Sequence, residues 1–144
     1  MWKVEKQGEF IHLEGTLDEY ADISMIENHP KPWKMDLSKI NRINSIGSRN
    51  WIHFIINHDK DIEIYNASQA FMEQVVLISS MLGNTDEQDI LKSYLLDFHC
   101  EKCDEEFTET IDFSQALKEK PCPKCNATAK IAEKMEEISE FHAS

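Results

Sequence analysis

The chain has 144 residues, of which 41% are apolar and 29% are charged, and its formal net charge is −12. These proportions are ordinary for a globular protein, and no apolar run approaches the roughly 18 residues that a membrane span needs. The acids concentrate in residues 61–144, which carry 18 acids and seven bases. Because a nucleic-acid-binding protein needs a basic face, the composition predicts that neither DNA nor RNA is a ligand.

The opening residues of the sequence lack the apolar core of a secretory signal peptide. We therefore expect a cytoplasmic protein.

Strand and helix signals alternate over the first 98 residues. In chain order the periodicity, caps and breakers predict strands at 2–5 and 10–14, a short helix at 18–26, a strand at 33–37, a helix at 45–57, a strand at 61–65, a helix at 68–82 and a strand at 94–99. This order predicts an α/β fold with a mixed β-sheet and crossover helices. Trp51, inside the second predicted helix, is expected in the core.

All four cysteines of the chain lie beyond the last predicted strand. Cys100 and Cys103 form one C-x2-C pair, and Cys122 and Cys125 form a second pair after 18 intervening residues. This spacing is typical of four-cysteine zinc sites, in which two tight turns supply four thiolates at tetrahedral angles. It predicts one structural Zn²⁺ in a closed site. The adjacent His99 is expected to be a strand residue rather than a ligand.

Two other interpretations of the cysteines compete with zinc. A pair of disulfides is disfavoured in a reducing cytoplasm. A thioredoxin-like redox site needs one C-x2-C at the start of a helix that follows a strand. After the second pair, residues 127–131 are predicted to form a strand, and Ile131, Met135 and Ile138 recur at helical spacing. That stripe is compatible with docking on this chain, docking on a second copy, or fraying at the end.

Catalytic motifs are absent from the sequence. There is no phosphate-binding G-x-x-x-x-G-K-[ST] loop, no G-x-G-x-x-G turn, no H-E-x-x-H and no G-x-S-x-G. The sequence therefore favours a protein that is not an enzyme.

Three short motifs in the first 98 residues point to a known family. The strand at 33–37 ends in Met-Asp-Leu at residues 35–37, and the helix at 45–57 opens with Asn-Ser-Ile-Gly at residues 44–47. Upstream, residues 13–18 read Leu-Glu-Gly-Thr-Leu-Asp. Together with the element order, these motifs resemble the STAS domain, the fold of bacterial anti-sigma factor antagonists and of the cytoplasmic ends of sulfate transporters. Members of that family show an apolar strand ending in Asp-Leu, a helix opening with Asp-Ser-x-Gly, and a Gly-x-Leu-Asp turn.

The resemblance implies a role for Ser45. In that family the serine of Asp-Ser-x-Gly is phosphorylated by a partner kinase that is also the anti-sigma factor. Here the family aspartate is replaced by Asn44, which caps a helix well but carries no charge. A plain helix cap is therefore the competing interpretation of Asn44 and Ser45. If the switch exists, the loop that contacts the partner comprises Asn41, Arg42, Asn44, Ser45, Ile46 and Ser48.

The sequence thus predicts a STAS-like domain over residues 1–98, a zinc ribbon over 99–134 and a C-terminal tail over 135–144 that is helical or frayed. The resemblance implies a non-enzymatic protein–protein interaction module in bacterial signalling. The alternative is a constitutive structural or scaffold subunit of a larger assembly. In either case the partner is another protein, either a kinase or anti-sigma-like regulator or an assembly subunit, and a homo-oligomer is compatible with the sequence.

Overall fold

The computed structural model describes residues 1–144. Its first part holds four strands and two main helices: β1 (Lys3–Gln7), β2 (Phe10–Leu17), β3 (Trp33–Ile43), α1 (Ser45–His58), β4 (Ile62–Tyr65) and α2 (Gln69–Leu77). These strands form one sheet in the order β1-β2-β3-β4. Strands β1 and β2 form an antiparallel hairpin, and β2, β3 and β4 run parallel to one another. The predicted mixed sheet with crossovers is therefore present.

The remaining elements build a second, antiparallel sheet: α3 (Glu87–Ile90), β5 (Ser93–His99), β6 (Glu106–Asp112), β7 (Lys120–Pro121), β8 (Thr128–Ile131) and α4 (Glu136–Ala143). The strand order of this sheet is β6-β5-β8-β7. No helix of the chain combines the length and the apolar character needed to cross a bilayer.

Strand β5 connects the two sheets. The backbone N–H of Lys92, just before β5, donates to the Ile64 carbonyl of β4 at 2.8 Å. The N–H of Leu95, within β5, donates to the Ala67 carbonyl at 2.9 Å. The same strand pairs with β6 along its whole length. Because one strand bonds to both sheets, their buried apolar side chains form one continuous cluster.

Three predicted elements differ most in extent from the observed ones. The helix predicted at 18–26 is a 3₁₀ turn over Ile23–Asn28, because Asp22 caps it by accepting from the Ser24 N–H. Strand β3 continues to Ile43, since its Ile40 is buried and the strand stays paired with β2. The helix predicted at 68–82 stops at Leu77, and a 3₁₀ turn at 79–82 follows.

The break in that third predicted helix has a packing reason. Met81 and Leu82 in the 3₁₀ turn are fully buried, and the Met81 carbonyl accepts a 2.9 Å hydrogen bond from the indole N–H of Trp51 in α1. Trp51 is itself fully buried, as expected. Gly83 then ends the segment with φ of +78°, a conformation that glycine adopts without strain.

The last helix, α4, packs onto the body of the protein. Ile138 is 2% exposed, and the Phe141 ring stacks on Phe113 with centroids 5.8 Å apart. His142 Nε2 lies 2.7 Å from the Gln115 carbonyl, and its Nδ1 lies 2.7 Å from the hydroxyl of buried Tyr94. Since a carbonyl only accepts, a neutral His142 donates from Nε2 and accepts from Tyr94 at Nδ1.

Candidate functional site

The four cysteines occupy two turns with the same backbone geometry. In the first turn the N–H of Asp104 donates to the Cys100 carbonyl at 2.8 Å, and in the second the N–H of Asn126 donates to the Cys122 carbonyl at 2.8 Å. Asp104 and Asn126 have φ of 61° and 62°. Aspartate and asparagine tolerate this left-handed conformation better than other side-chain-bearing residues. Each turn therefore presents its two thiols toward the other turn.

The thiols converge as the spacing predicts. All four Sγ atoms lie within 4.8 Å of one another, and none of the cysteines is in a disulfide. The Sγ–Sγ distance is 3.5 Å between Cys100 and Cys125 and 3.6 Å between Cys103 and Cys122. A tetrahedral site with Zn–S bonds of about 2.3 Å requires Sγ–Sγ distances of about 3.8 Å. The cluster therefore fits a structural metal ion.

The surroundings of the thiols favour the thiolate form at Cys100 and disfavour it at Cys103. Hydrogen bonds from backbone N–H groups, foremost that of Cys103, lower the pKa of the Cys100 thiol to about 7. Burial raises the pKa of Cys103. The N–H of Lys124 also points at the Cys122 sulfur, 3.4 Å away. A bound divalent cation would hold all four sulfurs deprotonated.

His99 is not a fifth ligand. It is a residue of β5, as expected, and its Nε2 lies 2.7 Å from Asp104 Oδ1. This hydrogen bond raises the pKa of His99. The donor set of the metal site is therefore four sulfurs, which leaves no open position for substrate.

The second candidate site is the start of α1. Asn44 caps this helix, and its side-chain oxygen accepts from the Gly47 N–H at 2.8 Å. Ser45 is exposed on the first turn, and Ile46 is 36% exposed. Asn41 and Arg42 are exposed at the end of β3. Most of the predicted contact segment thus belongs to a strand end and a helix start rather than to a loop.

The prediction that Ser48 belongs to the contact surface is wrong. Ser48 is 2% exposed, and its hydroxyl donates to Gln74 Oε1 of α2 at 3.0 Å. A partner cannot reach a side chain that lies between two helices. Ser48 therefore belongs to the packing of α1 on α2 and not to a contact surface.

A carboxylate missed in the sequence lies beside the cap. Glu19 Oε1 accepts a 2.9 Å hydrogen bond from the Asn44 amide. Hydrogen bonds from its own backbone N–H and from Asn44 lower the pKa of Glu19. The helix start therefore has a negative charge nearby, although Asn44 itself is neutral. Glu19 is 25 residues from Asn44, and no local motif links them.

Gly47 allows α1 to approach the end of β2. A Cβ at this position would lie 1.9 Å from the Leu17 carbonyl oxygen. We expect Gly47→Ala to lower the free energy of unfolding by about 3 kcal/mol, at the upper end of the cost of overpacking. Chemical denaturation measures the change. Asn57→Ala, at an exposed position of the same helix, is the control, and an equal, small effect of both substitutions would contradict this role of Gly47.

Asp36, within β3, holds this strand to Asn66, the residue that follows β4. Its Oδ1 accepts from the N–H of Ser38 at 2.9 Å and from the Ser38 hydroxyl at 2.7 Å, and its Oδ2 accepts from the Asn66 amide at 2.9 Å. Partial burial raises the pKa of Asp36, but the hydrogen bonds from Ser38 and Asn66 outweigh burial and leave the pKa below its usual value.

This lowered pKa makes the contribution of Asp36 dependent on pH. The contribution is complete above the ordinary carboxyl pKa and is lost as the pH falls through the folded-state value. We expect Asp36→Asn to cost about 1–3 kcal/mol at pH 7, where it weakens charge-assisted hydrogen bonds. Urea unfolding at pH 7 and at pH 3 should show the gap between parent and variant shrinking at the lower pH. A gap of the same size at both pH values would exclude the assignment.

No protein-family model, no curated protein and no solved structure matches this chain.

Proposed function

We propose that this chain is a STAS-like, non-enzymatic protein–protein interaction module in bacterial signalling, with Ser45 as a phosphorylation-controlled contact residue. The observation that carries the proposal is the environment of Ser45. It is exposed on the first turn of α1, while Asn44 supplies the cap hydrogen bond. The Ser45 hydroxyl forms no hydrogen bond within the chain, so the fold does not require it.

The surroundings of Ser45 support a contact with another protein. Ile46 is 36% exposed beside it, and Tyr20, which follows the Glu19 that bonds to the Asn44 cap, is 86% exposed. Exposed aromatic and aliphatic side chains of this kind are typical of the centres of interfaces. A phosphate added there would bring nearly two negative charges into the contact.

The same proposal assigns Zn²⁺ to the four cysteines, in one structural site. Four sulfurs are the donor set of structural zinc. The site then holds the second sheet in place and takes no part in chemistry. Elemental analysis of the purified protein should give about one zinc per chain.

Substitutions at Ser45 test the switch. Ser45→Asp is expected to weaken the complex with the partner recovered by pull-down at least about tenfold, or 1.4 kcal/mol, because a fixed charge enters the contact. Ser45→Ala should bind normally and melt at the parent temperature, since Asn44 caps the helix. Ser144→Asp, which adds the same charge at an exposed position after α4, is the control.

Phosphopeptide mass analysis of the protein from its native host completes this test. A modified Ser45 supports the switch. Normal partner binding by both Ser45 variants, with no phosphate found, would contradict it.

A constitutive scaffold subunit is the second candidate function. The observation that favours it is the adjacent pair Leu77 and Ile78, which are 72% and 38% exposed at the end of α2. A large apolar side chain as exposed as Leu77 favours a covering partner. This candidate predicts a complex that is insensitive to both Ser45 substitutions.

A further inference from the structure

The charge near Ser45 is unlike the charge of the rest of the chain. Residues 37–58, which include all of α1, contain no aspartate or glutamate, although the whole chain has 27 acids. The only two arginines of the protein, Arg42 and Arg49, lie in this segment. Both are exposed. The segment is thus a cationic surface on an acidic protein.

Neither arginine has a partner. Six of the 13 lysines form ion pairs, such as Lys39 with Glu14 at 3.8 Å and Lys134 with Glu106 at 2.6 Å. No ion pair of the protein includes Arg42 or Arg49. An arginine presents a planar set of N–H donors that matches a phosphate or carboxylate in a bidentate manner. These donors are free on the surface that carries Ser45.

The position of Arg49 relative to Ser45 is set by the helix. The two residues are four apart on α1, and side chains at this spacing lie next to each other on a helix surface. We propose that Arg49 is the intramolecular binding partner of a phosphate on Ser45. The phosphate then acts in two ways, since it adds negative charge and also engages the guanidinium of Arg49, which is otherwise free. This inference rests on the proposed function of Ser45.

The neighbouring charges do not replace this pair. The carboxylate of Glu19, which accepts from Asn44 at the helix start, repels a phosphate. The helix dipole favours a phosphate at Ser45 whatever residue occupies position 49. Both effects are the same in the parent and in an Arg49 variant, so the difference between those two proteins isolates the guanidinium.

Protein with genetically encoded phosphoserine at position 45 tests the pair directly, without a kinase or a partner. The ³¹P chemical shift is followed against pH to obtain the second phosphate pKa, which is ordinarily about 6. We expect the phosphate pKa of the parent to lie about 0.3 unit below that of Arg49→Gln, the size typical of an exposed pair four residues apart on a helix. Lys39→Gln, which removes a positive charge from β3, is the matched control and should leave the parent value unchanged.

A second readout follows the guanidinium itself. The Nε–H resonance of Arg49 should shift and exchange more slowly with solvent when Ser45 is phosphorylated. Equal phosphate pKa values in the parent and in Arg49→Gln would overturn the inference, and so would a pKa that responds to Arg42→Gln instead. The proposed function is tested separately. A Ser45–Arg49 pair in protein with encoded phosphoserine does not show that the native host phosphorylates Ser45.

Discussion

Removal of the metal is expected to unfold the two cysteine turns together with strands β7 and β8. Strand β7 has only two residues, and β8 pairs with β5 at only two positions, Phe98 with Ile131 and His99 with Lys130. So little hydrogen bonding does not hold a sheet without a further link. Structural zinc contributes about 10–16 kcal/mol of binding free energy to small metal-binding folds, and there binding and folding are one event.

Cys122→Ser is the variant that tests this expectation. Cys122 is 2% exposed and lies in the common core, so we expect loss of the metal, loss of the dispersed amide resonances of the cysteine turns, β7 and β8, and a lower melting temperature of the whole chain. Thermal unfolding with and without a strong chelator measures the same effect in the parent. Lys124→Ala, in the same turn but not a ligand, should keep the metal. An unchanged melting temperature in Cys122→Ser would contradict the structural role.

Deletion of Glu136–Ser144 is expected to have the next largest effect. The deletion removes the buried Ile138 and the stacking of Phe141 on Phe113, and it exposes the Tyr94 hydroxyl. Ile138→Ala alone should lower the free energy of unfolding by about 2–5 kcal/mol, the usual cost of truncating a fully buried isoleucine. The deletion should cost more, because several apolar contacts are lost together.

The measurement is denaturant unfolding of the full chain, Ile138→Ala and the deletion. Glu137→Ala changes an exposed residue of the same helix and should stay within about 0.5 kcal/mol of the parent. If the deletion melts at the parent temperature, α4 is a peripheral tail and the stacking on Phe113 does not stabilise the fold.

Features that depend on short-range spacing were predictable from the sequence. The two C-x2-C pairs indicated a four-sulfur cluster because each turn fixes its own geometry. The helix at 45–58 and the strand at 62–65 were predicted within one residue of their observed ends. The first two strands, at 2–5 and 10–14, were also predicted, since alternating strand patterns are local signals.

Strand ends and helix breaks were less predictable because distant residues decide them. Strand β3 extends to Ile43 only because β2 lies beside it, and no local pattern indicated this extension. The helix after Ser68 breaks because Met81 and Leu82 pack against Trp51 of α1. Strand β6 was not predicted at all, since its pairing with β5 depends on the fold and not on a local pattern.

Residue type and local order were enough to identify the four-cysteine cluster, the position of Ser45 at a helix start and the absence of acids from residues 37–58. Tertiary structure alone decided that Ser48 is buried against Gln74, that Glu19 supplies a carboxylate beside Asn44, and that α4 docks through His142. Each of these contacts joins residues 25 or more positions apart. Their formation depends on how the sheets and helices pack, and a local sequence pattern carries no information about that packing.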